Sequence, residues 1–193
     1  METIAYYNRH ATDYFEESVY IDMQETQERF MELLTEGASV LDLGCGSGRD
    51  SAVFMSRGFD VTAMDGSEEL CELASIHIGQ GVLNLSFEQL DFEEVFDGVW
   101  ASASLLHIPG EEIGTIMDKI IRSMKSKGIL YMSFQYGDFE GIRDERYYKD
   151  YRTKALKDLI AGFDALELID IRKSEDTRTD KDIFWIDAFV RKI

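Results

Sequence analysis

The stretch from Val40 to Asp50, V-L-D-L-G-C-G-S-G-R-D, decides the fold. It begins with a short apolar run typical of a buried strand, which only Asp42 interrupts. Glycines then stand at alternate positions, Gly44, Gly46 and Gly48. Such spacing allows a sharp turn and lets the backbone approach a ligand that a Cβ atom would keep away. Helix-compatible residues follow, so the stretch predicts a strand, a glycine turn and a helix with free N–H groups at its start.

The spacing of these glycines separates the turn from that of dinucleotide-binding proteins. G-x-G-x-G differs from the G-x-G-x-x-G that holds a pyrophosphate. Asp42 also stands two residues before the first glycine, where its carboxylate would repel a phosphate and attract an ammonium group. A ligand with an amino-acid head and no phosphate fits this pattern, and S-adenosylmethionine is such a ligand.

The stretch resembles motif I of the class I S-adenosylmethionine-dependent methyltransferases. The resemblance has specific motifs over residues 40–134 and is only general outside them. It implies a three-layer α/β/α sandwich, with a seven-stranded, mostly parallel sheet, an antiparallel last strand and an N-terminal helical lid. The implied cofactor is S-adenosyl-L-methionine, and the first residues implied to bind it are Asp42, Gly44, Cys45, Gly46 and Gly48. The alternative is an ordinary α/β turn with incidental glycines.

Length and composition favour one compact domain over residues 1–193. With 193 residues, 45% apolar content and one proline, the chain suits a single core without a proline-rich linker. We expect residues 1–36 to form the lid, 37–134 the cofactor-binding core, and 135–193 a substrate-side loop and a terminal hairpin. A run of 18 apolar residues and a secretory signal are both absent, and the two cysteines have no metal-ligand spacing. We therefore expect a reduced, cytoplasmic protein with no metal and no membrane partner.

The charge distribution argues against nucleic acid as a partner. The formal net charge is −18, and only four of the 20 basic residues lie in residues 1–118. An acidic surface over this part would repel a phosphate backbone, although a basic patch in the last third could still attract an anion. Most of these charges are also explained by a solvated acidic surface. A small-molecule acceptor is thus favoured, while no pattern indicates the oligomeric state.

Further cofactor contacts are expected at the ends of later strands. Asp65 follows the second apolar run, one βαβ unit after Asp42, where a carboxylate can accept hydrogen bonds from ribose hydroxyls; it could instead cap the next helix. The resemblance implies that Asp91 and Phe92 contact adenine, although a surface turn would also explain them. It further implies that Tyr14 of the lid touches the cofactor, although such a tyrosine could simply pack on the core. The cofactor site predicted on this basis also includes Gly66, Ser67, Ala101 and Ser102.

The acceptor site is expected above the carboxyl ends of the central strands. His107 follows the fourth predicted strand and is the candidate catalytic base, with a structural role as the alternative. The segment 135–152 breaks the alternation of strands and helices and is predicted to be a loop that forms the substrate wall. Its basic and aromatic residues could also be ordinary surface packing. The predicted acceptor-binding residues are Gln135, Tyr136, Arg146, Tyr147 and Arg178.

Two functions of different classes fit these residues. The first is transfer of a methyl group from S-adenosylmethionine to a small molecule, which needs alignment, desolvation and, for some acceptors, a base. The second is a binding or regulatory protein that keeps the cofactor site without turnover. A nicotinamide-dependent oxidoreductase is disfavoured by the glycine spacing and by Asp42.

Overall fold

The computed structural model describes residues 2–176 and 183–193. The N-terminal helices are α1 Glu2–Arg9, α2 Ala11–Ser18 and α3 Gln24–Glu32. Strands and helices then alternate as β1 Ser39–Leu43, α4 Arg49–Ser56, β2 Asp60–Asp65, α5 Glu68–Ile78, β3 Leu83–Asn84, β4 Phe96–Ala101, α6 Ile113–Ser123 and β5 Met124–Gln135. The remaining elements are β6 Glu140–Arg143, β7 Arg146–Lys149, α7 Thr153–Ala161, β8 Leu166–Glu175 and β9 Phe184–Lys192. Within the two described ranges, no helix has the length and apolar character needed to cross a bilayer.

The described strands form a seven-stranded sheet in the order β3-β2-β1-β4-β5-β9-β8. The pairs from β3 to β5 are parallel, and β9 runs antiparallel to both of its neighbours. This arrangement confirms the predicted sheet with an antiparallel last strand. The strand order reverses between β1 and β4, so the carboxyl ends of these two strands form the switch point where open α/β sheets bind ligands.

Both faces of the sheet are covered by helices, as the apolar run in β1 predicts. Val40 faces Phe30 of α3 and Phe54 of α4, and all three side chains are fully buried. The next residue, Leu41, belongs to the opposite core, which includes Met117 of α6 and also residues of α7. Two apolar layers therefore enclose β1, which gives the expected three-layer sandwich.

A buried carboxylate fixes the start of α4 beneath the glycine turn. Asp50 accepts hydrogen bonds from Gln27 Nε2 at 2.6 Å and from Trp100 Nε1 at 2.8 Å, and it pairs with Arg49 at 2.7 Å. The indole of Trp100 stacks on Tyr131, with ring centroids 4.0 Å apart. The carboxylate of Asp50 thus joins α3, α4 and β4, and the stacked rings of Trp100 and Tyr131 add β5.

Two elements differ from the sequence-based expectation. The apolar residues in Leu83–Phe87 predict a third strand over this segment, but the strand ends at Asn84 and a short 3-10 turn follows over Phe87–Gln89. The segment expected as a loop contains the antiparallel hairpin β6–β7. Its two-residue turn is Asp144-Glu145, and both residues have positive φ values, 49° and 63°. This is the backbone of a turn that usually carries Asn-Gly, so the sequence lacked the common signal for a hairpin.

Candidate cofactor and acceptor site

A cavity of about 400 Å³ lies where β1, β2 and β4 end. Gly44 and Gly46 border it after β1, Asp65 at the end of β2, and Ser104 after β4. Helix α1 and the hairpin β6–β7 add residues from above, including Ile4 and Tyr147. We call this space the first cavity. The first cavity lies at the expected switch point of the sheet, because the parallel order of β1, β2 and β4 brings their carboxyl ends together.

The three glycines of the turn have different surroundings. A Cβ atom on Gly44 would lie 2.6 Å from Cβ of Ser104, and one on Gly46 would lie 3.1 Å from the Tyr14 ring. Both glycines have positive φ, so side chains are disfavoured there by backbone conformation as well as by space. Gly48 instead begins α4 and faces Ile78 of α5, where a Cβ atom would lie 2.9 Å away. Thus Gly44 and Gly46 border the cavity, whereas Gly48 allows two helices to pack.

Asp65 joins the end of β2 to the glycine turn. Its carboxylate accepts the backbone N–H of Gly46 and that of Ser67, both at 2.9 Å. Burial raises the pKa of Asp65, while these backbone hydrogen bonds favour the ionised form. Gly66 and Ser67 continue the cavity wall, and Ser67 also caps α5 by accepting the N–H of Leu70. Asp65 thus borders the cavity and holds the turn before α5, while the helix cap itself is Ser67. A ligand role of Asp65 stays a prediction.

Two predicted cofactor residues of the glycine stretch lie below the cavity wall. Asp42 is 2% exposed and accepts the Ser51 hydroxyl at 2.6 Å. Burial and the nearby Asp50 raise the pKa of Asp42 to about 7. Asp42 does not border the first cavity, and its expected attraction for a ligand ammonium group stays a prediction. Cys45 is also buried and does not border the cavity.

The predicted adenine contacts, Asp91 and Phe92, do not border the first cavity. Asp91 forms an ion pair with Arg122, and its side chain is 81% exposed. Phe92 packs against Phe96, with ring centroids 5.1 Å apart. The cavity is bordered instead by Leu85, Ser86, Phe87 and Glu88. The shift arises because β3 ends early and the Ser86–Gln89 capping box closes a tight turn at the cavity.

Helix α1 closes the first cavity through contacts to three parts of the chain. Asn8 accepts the Ser67 hydroxyl at 2.6 Å, and Thr3 Oγ1 accepts the N–H of Tyr147 at 3.0 Å. The Tyr7 hydroxyl lies 2.9 Å from His107 Nε2. Tyr7 was not among the predicted site residues, because no sequence pattern separates it from the neighbouring Tyr6. The fold brings its hydroxyl to His107 in the turn that follows β4.

A second cavity, of about 1020 Å³, continues from the first. Both cavities are bordered by Tyr7, Tyr14, Ala103 and His107, which we call the junction. The predicted acceptor residues Gln135, Tyr136 and Arg146 border the second cavity, as does Ser102.

Three other predicted residues are placed differently. Tyr147 borders the first cavity rather than the second. Ala101 is fully buried at the end of β4 and borders neither cavity. Arg178 lies outside the described residues.

Both ring nitrogens of His107 have hydrogen-bond partners. Nδ1 lies 2.6 Å from the carbonyl oxygen of Tyr147, which can only accept, so Nδ1 carries the proton. In the neutral ring Nε2 then accepts from the Tyr7 hydroxyl. Burial, with the Arg146 charge nearby, lowers the pKa of His107 to about 4. His107 is thus a neutral acceptor for Tyr7, and its basicity is weak near neutral pH.

The fold and the two joined cavities define a Rossmann-like α/β protein with a cavity at the switch point of its sheet. A family model described as a methyltransferase domain matches residues 41–132. The ubiquinone biosynthesis O-methyltransferase of Rickettsia typhi is 28% identical over 99 residues, which are 49% of this chain and 39% of the relative. The chain thus spans about two fifths of the length of that curated relative.

Solved structures share the fold over nearly the whole chain. The 1,6-didemethyltoxoflavin N1-methyltransferase of Burkholderia thailandensis, solved with S-adenosylhomocysteine, has a TM-score of 0.81 at 23% identity. That match covers 99% of this chain and 87% of the other. The magnesium protoporphyrin IX methyltransferase of Synechocystis PCC 6803 has a TM-score of 0.74 at 18% identity and covers 100% and 99% of the two chains. At these identities the two structures support the fold alone.

Residues 41–132, a little under half of the chain, thus match a methyltransferase-domain family, and the whole chain shares the fold of solved methyltransferases. The first cavity suits the predicted cofactor, S-adenosylmethionine, because Gly44 and Gly46 border it without side chains. Asp65 places a carboxylate at the end of β2, where a ribose would need an acceptor.

Proposed function

We propose that this chain transfers the methyl group of S-adenosylmethionine to a small-molecule acceptor. The observation that carries the proposal is the junction of two cavities at Tyr7, Tyr14, Ala103 and His107. One cavity has the glycine turn and Asp65 in its wall, and the other has polar and aromatic residues suited to a second molecule. A protein that only bound the cofactor would have no need for the larger second cavity.

We further propose how the first cavity holds the cofactor. The carboxylate of Asp65 would accept the ribose hydroxyls, and Phe87 would cover the adenine. Tyr14 lies against Gly46 and would contact the methionine portion near the junction. The positions of these three side chains support the assignment, since all of them border the first cavity.

The chemistry needs few protein groups beyond those that position the reactants. The cofactor supplies a methyl group on a positively charged sulfur. The junction residues would align the acceptor with that group and exclude water from the space between the cavities. Tyr7 is held by His107 at 2.9 Å and so would present its oxygen in a fixed direction. A strong base at His107 is not part of the proposal, because its low pKa makes it a poor proton acceptor.

A small acceptor is favoured over a polymer by charge and by enclosure. The net charge of −18 opposes binding of a polyanion. The related proteins above are named for ubiquinone biosynthesis and for didemethyltoxoflavin, which are not polymers. Helix α1 and the hairpin β6–β7 meet above the site, with Arg9 and Glu145 3.0 Å apart. Our proposal includes a cytoplasmic location, in keeping with Cys45 and Cys71 as free thiols.

The test combines binding and turnover with the full chain. Calorimetry should show S-adenosylhomocysteine binding more tightly than NAD. Incubation with radiolabelled S-adenosylmethionine and fractionated metabolites should then transfer label to a small molecule. Tighter binding of NAD would refute the cofactor site. Cofactor binding without label transfer to any fraction would favour a non-catalytic binding protein instead.

A further inference from the structure

One guanidinium in the second cavity has no acidic partner among the described residues. Arg146 lies over the rings of Tyr6, Tyr7 and Tyr148, at 4.5, 5.7 and 5.4 Å from the ring centroids. Its Nη1 is 3.5 Å from the Tyr7 hydroxyl, and its buried Nε has no hydrogen-bond partner among the described residues. The group is half-buried and borders the second cavity beside the junction.

The other arginines of this cavity are paired with carboxylates. Arg49 pairs with Asp50 at 2.7 Å, Arg143 with Asp150 at 3.2 Å, and Arg172 with Asp170 at 2.7 Å. Acidic residues outnumber basic ones by 38 to 20 in the chain, so a carboxylate partner would be easy to supply. Arg146 nevertheless contacts only neutral groups, and its guanidinium retains unused donors.

The groups around Arg146 cannot neutralise its charge. Tyr7 and Tyr148 are uncharged at neutral pH, since burial raises the pKa of both phenols. His107 is neutral as well. The guanidinium of Arg146 therefore keeps its charge in a partly desolvated position, stabilised by the ring faces but without a counter-ion among the described residues. An arginine in this state is suited to bind a carboxylate or a similar planar anion.

The wall of the second cavity favours a flat ligand. Its aromatic members near and beyond the junction are Tyr7, Tyr14, Tyr131, Tyr136, Tyr148, Phe184 and Trp185. Lys173, over the rings of Tyr136 and Phe184, adds a second positive charge further along. The acidic residues of this cavity are mostly exposed to solvent: Glu17, Asp22, Glu25, Asp144 and Glu175. Of the more buried ones, Asp150 pairs with Arg143, Asp176 accepts from Trp185, and Asp187 accepts from Tyr131.

We infer that the acceptor is a flat conjugated molecule with a negative charge, and that Arg146 binds its anionic group beside the junction. This inference rests on the proposed function, because it assigns the substrate class of the same site. The anion would take the free guanidinium donors, and the aromatic rings would hold the conjugated part against the methyl donor. Arg146 thus would select the acceptor and would not be needed to bind the cofactor.

The test uses three probes of one ring system that differ in charge. Calorimetry of the full chain, with and without saturating S-adenosylhomocysteine, compares 2-naphthoate, 2-naphthamide and 2-naphthylmethylammonium. We expect naphthoate to bind about tenfold more tightly than naphthamide, and the cation to bind least tightly. Arg146→Gln should remove that preference without weakening the amide, and Arg146→Lys should retain part of it. Arg191→Gln, at an exposed pair with Glu167, is the matched control and should change nothing.

Each outcome bears on the inference. Equal affinity of the three probes, tightest binding of the cation, or no binding of any probe would overturn it. An anion preference that survives Arg146→Gln would overturn the role of Arg146. If the wild-type protein does not bind S-adenosylhomocysteine, the proposed function is wrong. The titrations of the three probes without S-adenosylhomocysteine would then still measure the charge preference of the second cavity. Loss of S-adenosylhomocysteine binding in Arg146→Gln alone would show that Arg146 serves the cofactor, which contradicts the inference.

Discussion

The Oδ2 atom of Asp65 accepts the backbone N–H of Gly46 at 2.9 Å, and this bond joins β2 to the glycine turn after β1. The same carboxylate accepts the N–H of Ser67 at 2.9 Å and borders the first cavity. Asp65 therefore supports the turn and also borders the cavity that we propose to hold the cofactor. A ligand hydroxyl would approach a carboxylate whose orientation is already set by two backbone donors.

Asp65→Asn should weaken binding of S-adenosylhomocysteine by about 1–3 kcal/mol, since charge-assisted hydrogen bonds to the ribose would be lost. Calorimetry measures the affinity, and thermal unfolding shows whether the turn remains folded. The matched control is Asp60→Asn, at the exposed start of the same strand, which should bind as wild type does. Unchanged affinity of Asp65→Asn would contradict the assigned ribose contact.

Phe87→Ala should weaken cofactor binding, whereas Asp91→Ala should leave it unchanged. The expected loss for Phe87 is about 1–2 kcal/mol, because its ring borders the cavity and would lose apolar contact with the adenine. Asp91 pairs with Arg122 on the surface and faces neither cavity. Calorimetric titration of the two variants with S-adenosylhomocysteine decides between the positions. A larger loss in Asp91→Ala would restore the original sequence-based assignment.

The contrast between Asp65 and Asp91 shows what the sequence could and could not predict. The glycine turn and Asp65 were predictable because local chemistry fixes them: a strand, positive φ at glycine and a carboxylate at the next strand end. Which residues border the first cavity beside β3 depended on where that strand ends, and a two-residue strand gives almost no periodic signal.

The positions of Asp42 and of the β6–β7 hairpin depended on tertiary structure in the same way. The glycine pattern places Asp42 near the turn but does not predict that its carboxylate accepts a hydrogen bond from Ser51 beneath that turn. The hairpin turn at Asp144-Glu145 lacks the glycine that usually marks positive φ. In both cases the missing information was the direction of a side chain or of a backbone turn, which packing decides.

Gly98→Ala should destabilise the fold, whereas Gly114→Ala should stabilise it slightly. A Cβ atom on Gly98 would lie 2.8 Å from the Phe30 ring and 2.9 Å from Leu34, in a fully buried aromatic cluster. Overpacking of this kind costs about 1–3 kcal/mol. Gly114 lies in α6 with nothing within 4 Å of a Cβ atom, so alanine should gain up to about 1 kcal/mol there. Urea unfolding of both variants measures the difference, and a tolerated Gly98→Ala would mean that Phe30 can move.

His107 should make the protein less stable as the pH falls from about 6.5 to about 4. The groups that face its ring are Tyr7 from α1, and Arg146 and Tyr148 from β7. Burial lowers the pKa of His107 to about 4, whereas an unfolded histidine has a pKa of about 6.5. Between these values the unfolded chain binds more protons than the folded one, so the free energy of unfolding decreases on acidification. The full shift corresponds to at most about 3 kcal/mol.

Measuring wild type against His107→Gln isolates this contribution, since other groups titrate in the same range. Burial raises the pKa of Asp42 to about 7 and that of Asp187 to about 6, and both carboxyls therefore oppose the effect of His107. Their folded forms hold protons that the unfolded chain has lost, so they favour folding more at lower pH. The free-energy difference between wild type and His107→Gln should thus shift in favour of the variant as the pH falls from 7 to 4. A difference that stays constant over this range would show that the folded protein accepts a proton on His107 as readily as the unfolded chain does.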